Sequence, residues 1–262
     1  MYRGLLVSHT STSFKPRGQS KIETGEPDRF EWLNVGQDGL MGNTPLQPLP
    51  PLIHQHLPLF TSFLKHGHDI AKVVFSTIAS QLGLPKDTFT SLQPVTKTSG
   101  TAVRLIRAFA YEPTEQNLKT SLMHHTDLGS ATLLANVLGG LQILTPDGSP
   151  TDEDAWRWVR PQPHCLIVNM GDAMVQWTGG MLRSNVHRVK YAPGLQRSVD
   201  RYSLAIPFRP EYNATMRSKV GGENGDAEDG AMTAWEWEVK KLMSHVRKEA
   251  MVQSQVRKPL AS

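Results

Sequence analysis

The chain has 262 residues, 39% of them hydrophobic, with a formal net charge of +4 and a pI near 9.2. That length allows one large domain or two small ones with a real core, and the scattered positive charge, with no basic run interleaved with aromatics, argues against nucleic-acid binding. The single cysteine, Cys165, excludes an internal disulfide and reads as a small buried hydrophobe in the apolar run His164-Cys165-Leu166-Ile167-Val168.

The N-terminus lacks an apolar stretch long enough for a signal peptide. No segment approaches the roughly 20 apolar residues of a membrane span. A soluble, cytoplasmic protein with no membrane partner is expected.

Residues 1–51 are polar and rich in Gly, Pro and Ser, ending in the run Pro45-Leu46-Gln47-Pro48-Leu49-Pro50-Pro51. They read as an irregular N-terminal arm. Residues 52–101 read as a helical segment packing on the core. Its helix spans 59–82, with Phe63, Ile70, Val74, Ile78 and Leu82 on one face and a stop at Gly83 and Pro85. His54, His56, His66 and His68 read as solvated surface beside that stripe.

Residues 102–211 alternate short apolar runs with turns. The runs are Ala102–Phe109, Ala131–Leu138, Leu141–Thr145, Trp156–Val159, Cys165–Met170, Ala173–Thr178, Asn185–Val189 and Tyr202–Phe208. Gly139-Gly140, Pro146-Asp147-Gly148, Gly171-Asp172, Gly179-Gly180 and Pro193-Gly194 punctuate them. Eight short strands so spaced predict an antiparallel double-sheet jelly roll, a mainly β fold with flanking helices. Residues 212–262 hold a Gly-rich charged loop and a C-terminal helix. Thr233 and Glu236 form a capping box, and Trp235, Val239, Leu242 and Val246 line one face.

His125-Thr126-Asp127 carries the chemistry. In a strand, residues i and i+2 share a face, so His125 and Asp127 can reach one metal together. His187, well downstream, can return on another strand. Two imidazoles and a carboxylate with open positions point to non-haem iron(II) rather than structural zinc. Arg201 and Ser203 share the same i, i+2 relationship, and a guanidinium with a hydroxyl makes a seat for a carboxylate.

These segments resemble the 2-oxoglutarate- and iron(II)-dependent oxygenases of the isopenicillin N synthase-like family. The resemblance rests on His125-Thr126-Asp127-Leu128-Gly129-Ser130, Gly139-Gly140-Leu141-Gln142-Ile143, Val168-Asn169-Met170-Gly171-Asp172, Leu182-Arg183-Ser184-Asn185-Val186-His187-Arg188-Val189 and Arg201-Tyr202-Ser203. It runs from Asp28 to Glu211, and the wording around His187 is most similar to fungal members. It implies a distorted jelly-roll (double-stranded β-helix) core, and iron(II) on His125, Asp127 and His187. It also implies 2-oxoglutarate with its far carboxylate on Arg201 and Ser203, and dioxygen as co-reactant. A small organic substrate would be hydroxylated, desaturated or cyclised, in a fungal secondary-metabolic setting. Asn169 and Asp172 read as turn residues with a structural role.

Two departures from the family pattern stand out. Where many relatives carry an Asn-x-Tyr pair, this chain has Arg104-Leu105-Ile106-Arg107-Ala108-Phe109, so Phe109 in the tyrosine position would lack the hydroxyl. Arg104 or Arg107 could face the pocket and meet an acidic substrate, or point outward. The chain also begins after the family's usual first strand and helix. The uncovered sheet edge is then expected to be covered by a homodimer or by the N-terminal arm. Two other readings stand beside the oxygenase: an oxidase of the same fold that does not use 2-oxoglutarate, and a truncated, non-catalytic binding protein.

Overall fold

The computed structural model describes residues 13–19, 26–111, 120–221 and 227–244. Ten strands form two antiparallel sheets: β1 (Ser13–Lys15), β2 (Phe30–Gly36), β3 (Ala102–Ala108), β4 (Thr120–His125), β5 (Ala131–Asn136), β6 (Leu141–Leu144), β7 (Trp156–Trp158), β8 (Ile167–Met170), β9 (His187–Lys190) and β10 (Arg201–Phe208). The larger sheet runs β1-β2-β3-β10-β5-β8 and the smaller β4-β9-β6-β7. Helices α1 (Gln37–Met41), α2 (Pro51–Gln55) and α3 (Leu57–Gln81) precede β3. The helix α4 (Asp172–Trp177) follows β8. The result is the jelly roll that the strand pattern predicts.

Register decides which side chains face the space between the sheets. In β10, Arg201, Ser203 and Ala205 lie opposite Ala108, Ile106 and Arg104 of β3. Ala205 and Ser203 lie opposite Leu134 and Asn136 of β5. Asn34, Trp32 and Phe30 of β2 pair with Arg104, Ile106 and Ala108. Cross-strand partners share a face, so all of these line the lumen. The alternate residues Val35, Val103, Ala131, Leu133, Ile206 and Phe208 line the opposite face of the large sheet and pack in one core with Phe60, Leu64, Ala71, Phe75 and Ala79 of α3. Farther along that face, Leu33, Leu105, Tyr202 and Leu204 border an open groove of about 950 Å³.

The structure departs from the sequence expectations in six places. His68 is not solvated surface: its Nε2 lies 2.6 Å from Gln37 Oε1 and its ring meets Phe208 edge-on. Phe30–Gly36 is a seven-residue strand, not irregular arm, with Glu31, Trp32 and Leu33 half-buried and the rest buried. Apolar residues fall on both faces, Phe30 and Trp32 on one and Leu33 and Val35 on the other, which leaves no single alternation to read. Residues 172–177 form α4 rather than a strand, because a six-residue apolar run suits either element. The buried stripe of α3 is Phe60, Leu64, Gly67, Ala71, Phe75 and Ala79. Ile70 is 40% exposed, and Phe63, Ile78 and Leu82 lie at the core's margin. Small residues win that face because the helix lies close on the sheet: a Cβ on Gly67 would run into Cδ1 of Ile206. Cys165 is exposed. In the terminal helix, residues 234–244, Ala234 and Trp237 are the buried contacts and Trp235 meets Tyr212 edge-on. Its capping box forms as expected: the Thr233 amide donates to Glu236 Oε2 at 2.9 Å and the Glu236 amide to Thr233 Oγ1 at 3.3 Å. Val246 lies outside the described residues.

The stripe assignment predicts two different outcomes for α3. Phe75→Ala should cost about 3–5 kcal/mol in urea unfolding, the usual penalty for emptying an aromatic site in a core. Ile70→Ala should stay within about 0.5 kcal/mol of the parent, as for exposed positions.

Candidate active site

The metal motif sits where the two sheets meet. His125 ends β4 and pairs directly with His187 at the start of β9. Ile143 of β6 flanks His187 on the other side. The imidazole centroids are 4.3 Å apart. Asp127 Oδ1 lies 3.9 Å from Nε2 of each histidine. One ligand atom from each residue lies within 4.8 Å of the others.

Each histidine is held by its other nitrogen. His125 Nδ1 is 2.9 Å from the Met123 carbonyl, and His187 Nδ1 is 3.1 Å from the Asn185 carbonyl. Donation from Nδ1–H to a carbonyl leaves the Nε2 lone pair facing the centre, as a metal requires. Burial pushes the His125 imidazole down to about 4, and the neighbouring His187 adds to the effect. Burial alone would raise Asp127, but the imidazoles of His187 and His125 and a hydrogen bond from Asn169 outweigh it and hold the carboxyl low. A neutral imidazole and an ionised carboxylate are the forms that bind metal. This two-imidazole, one-carboxylate set fits iron(II).

Asp127 gets there by a route the sequence reading did not foresee. The strand ends at His125, so the i, i+2 argument holds only for its first member. Asp127 is placed by the loop that follows, pinned from below by the start of α4. The Asp172 amide donates to the Asp127 carbonyl at 2.8 Å, and the Ala173 amide to Gly129 at 3.1 Å. Gly171 is needed for this approach, since its Cβ would strike the Gly129 carbonyl and lie 2.8 Å from that of Asp127. Asn169 Nδ2 then donates to Asp127 Oδ2 at 2.9 Å. Asn169, read from sequence as a turn residue, is on β8 and orients the carboxylate; its position two residues before Gly171 was the only hint.

The Arg201–Ser203 pair forms as read. Arg201 Nη1 donates to Ser203 Oγ at 2.6 Å and Nε to the Gly139 carbonyl at 2.8 Å. Nη2 is buried with no protein partner among the described residues. Burial lowers the guanidinium to about 10, still cationic at neutral pH. Gly140, at φ 112°, lets the hairpin close against it, since a Cβ there would meet the Lys190 carbonyl at 2.7 Å. A buried cation with one donor left over suits a carboxylate.

The two open arginines separate cleanly. Arg107 lies outside the lumen, ion-paired with Asp200 at 2.7 Å and Glu31 at 3.4 Å, over the ring of Phe109. Phe109 borders a small cavity, about 20 Å³, that also touches Arg201. Arg104 faces the lumen, where its Nε donates to Asn34 Oδ1 at 2.8 Å. Trp32 and Asn34, the lumen neighbours of Arg104, escaped the sequence reading because β2 was not recognised as a strand.

An antiparallel double-sheet barrel with a two-histidine, one-carboxylate centre in its mouth defines a class of non-haem metalloprotein. Residues 101–210 match the 2OG-Fe(II) oxygenase superfamily. It is 29% identical over 235 residues to a 2-oxoglutarate-dependent dioxygenase of Aspergillus fumigatus, covering 82% of this chain and 61% of that protein. It is 32% identical over 205 residues to the 2-oxoglutarate-dependent dioxygenase frbH of Dothideomycetidae sp., covering 78% and 60%. The chain thus spans about three fifths of the length of these two relatives. The match to the 2-oxoglutarate-dependent dioxygenase iboH of Amanita muscaria, 29% identical, covers 75% of this chain and 89% of that protein. In fold, it superposes on a full-length Neurospora crassa protein, crystallised in complex with alpha-KG and thymine, with a TM-score of 0.72 at 21% identity, covering 90% of this chain and 75% of that one.

Two measurements probe the site. Asn169→Ala should weaken Mn(II) or Fe(II) binding about 10–100-fold by calorimetry, the usual effect of losing a ligand's hydrogen-bond partner, with the melting temperature little changed. Acidification should destabilise the metal-free protein. The folded value of His125, like that of His68, is about 4 against an ordinary 6.5. The stability from keeping these rings neutral is therefore full above 6.5 and is lost as pH falls toward 4. A flat melting temperature across that window would contradict the assignment.

Proposed function

We propose that this chain is an iron(II)- and 2-oxoglutarate-dependent oxygenase acting on a small organic molecule. The observation that carries this reading is the pairing, in one lumen, of the His125–Asp127–His187 group with a buried arginine whose Nη2 has no protein partner. In this reading His125, Asp127 and His187 hold the iron, and Arg201 with Ser203 takes the distal carboxylate of 2-oxoglutarate. Bound iron would supply dioxygen activation coupled to oxidative decarboxylation of 2-oxoglutarate to succinate and carbon dioxide.

The protein's own residues supply geometry. The Nδ1 hydrogen bonds fix the imidazole planes, Asn169 and the α4 backbone fix the carboxylate, and Ser203 with the Gly139 carbonyl fixes the guanidinium. Such prearranged groups avoid reorganisation at the moment of reaction. Apolar lumen residues, among them Leu134 and Ile143, limit water around the centre. The fungal relatives support a role in specialised metabolism. Among the described residues no helix is long and apolar enough to cross a membrane.

The test is an anaerobic titration of the protein with Fe(II) and 2-oxoglutarate, followed for their charge-transfer band. Arg201→Gln should lower 2-oxoglutarate affinity at least 100-fold, since it leaves a carboxylate without its charged partner, while Fe(II) affinity changes little. Oxygen-dependent succinate release should vanish in His187→Ala. Oxygen uptake without succinate would favour an oxidase, and absence of iron binding would remove both enzymatic readings.

A further inference from the structure

The lumen holds more positive charge than the cosubstrate can use. Arg201 and Arg104 share the lumen face of the large sheet, but Arg201 lies opposite Ala108 and Arg104 lies opposite Ala205. Ala108 and Arg104 are four residues apart on one strand, which is about 13 Å at the usual rise. Of the two carboxylates of 2-oxoglutarate, the proposed binding mode places one on Arg201 and the other at the metal. Neither is left for Arg104.

Arg104 is half-buried in the lumen wall, and its surroundings lack the acid that a withdrawn arginine normally has. Arg188 meets Glu153 at 2.7 Å and Arg209 meets Glu238 at 2.8 Å. Among the described residues Arg104 has no ion pair. Its one hydrogen bond goes to the neutral Asn34 Oδ1, and its guanidinium lies 4.6 Å from the Trp32 ring centre. Nη1 and Nη2 have no protein partner there. Burial, with the like charge of Arg209 against it, lowers the group to about 10, which still leaves it cationic at neutral pH. Beside it, Trp32 Nε1 is buried without a partner. Asp127 is near enough to be felt electrostatically but is committed to the histidine cluster. The guanidinium, stacked over the indole ring, thus offers donors with no matching acceptor, within electrostatic reach of Asp127.

We propose that Arg104, assisted by Trp32 Nε1, binds a carboxylate of the molecule to be oxidised, so that the substrate class is a small organic acid. This rests on the oxygenase reading above and narrows it. Asn34 and the Trp32 ring fix the plane of the guanidinium, so a bound acid would present its C–H bonds to the metal at a distance set by its own chain length. Both groups are therefore specificity-determining residues for the same reaction.

The experiment uses the protein loaded anaerobically with Fe(II) and 2-oxoglutarate, and a panel of small carboxylic acids, each paired with its primary amide: hexanoate, phenylacetate, benzoate and cyclohexanecarboxylate. Binding is read from the perturbed charge-transfer band and from saturation-transfer NMR. In the parent protein the acids should bind at least tenfold more tightly than their amides. Arg104→Gln should erase that preference, Arg104→Lys should keep part of it, and Trp32→Phe should weaken acid binding several-fold. The affinity for 2-oxoglutarate should stay within about twofold throughout. Because the charge is uncompensated, Arg104→Gln should melt at or above the parent temperature.

The proposal is overturned by any of four results: no acid–amide preference across the panel, a preference that survives in Arg104→Gln, a tenfold loss of 2-oxoglutarate affinity in that variant, or a drop of more than 5 °C in its melting temperature. The last two would assign Arg104 to the cosubstrate or to the sheet. A parent protein with no charge-transfer band would instead sink the oxygenase reading, and NMR on the metal-free protein would still score the acid–amide preference.

Discussion

A metal ligand placed beyond the end of a strand has no ladder to hold it. Asp127 faces that problem two residues past β4, and backbone hydrogen bonds from the start of α4 solve it. Everything else at the site is arranged around that crossing. Gly171 permits it, Asn169 reaches the carboxylate from the strand just before it, and Ala173, Met174 and Trp177 anchor the short helix in the main core. The carboxylate's position is therefore set by the packing beneath the sheet as much as by the motif that contains it. Helix α4 also links the metal loop to the same hydrophobic cluster that holds α3 against the sheet.

The lumen is electrostatically one-sided. Among the described residues Arg201 Nη2 and Trp32 Nε1 are buried donors without protein acceptors, and Arg104 lacks a counter-ion. Burying polar groups in this way costs stability unless a ligand completes them. The opposite face of the same sheet carries the apolar core packed under α3, with an open groove farther along it. The large sheet thus separates two chemistries: core on one side, unsatisfied donors on the other. This is the pattern expected where stability is given up at a site that awaits its ligands.

The sequence made the chemistry legible before the architecture. The structure gathers His125, Asp127 and His187 in one group and joins Arg201 to Ser203, residue types that are few and whose spacing is specific. What escaped was whatever depended on tertiary context. Both faces of β2 carry apolar residues, so Phe30–Gly36 shows no single period of two. The core stripe of α3 goes to Gly67, Ala71 and Ala79 alongside its aromatics, whereas counting large aliphatics selects the neighbouring stripe. Residues 172–177 are too short for period to decide between helix and strand. Asn169 looked like turn chemistry because its partner, Asp127, is remote in sequence. Arg104 and Arg107 sit three apart on one strand, and only the register with β10 showed which of them turns inward.

The pairing of β4 with β9 carries one more consequence. It is not a regular ladder: its register shifts between Thr120 and Leu122 and again between Leu122 and His125. A slip of one residue in a strand pair turns every side chain to the other face. A misregistered molecule would therefore point one imidazole out of the lumen and leave the other without its companion. A metal that needs both would bind only the correctly paired form and, by mass action, draw the population toward it. Iron would then act as a proofreader of strand register, selecting among near-native chains before any substrate arrives.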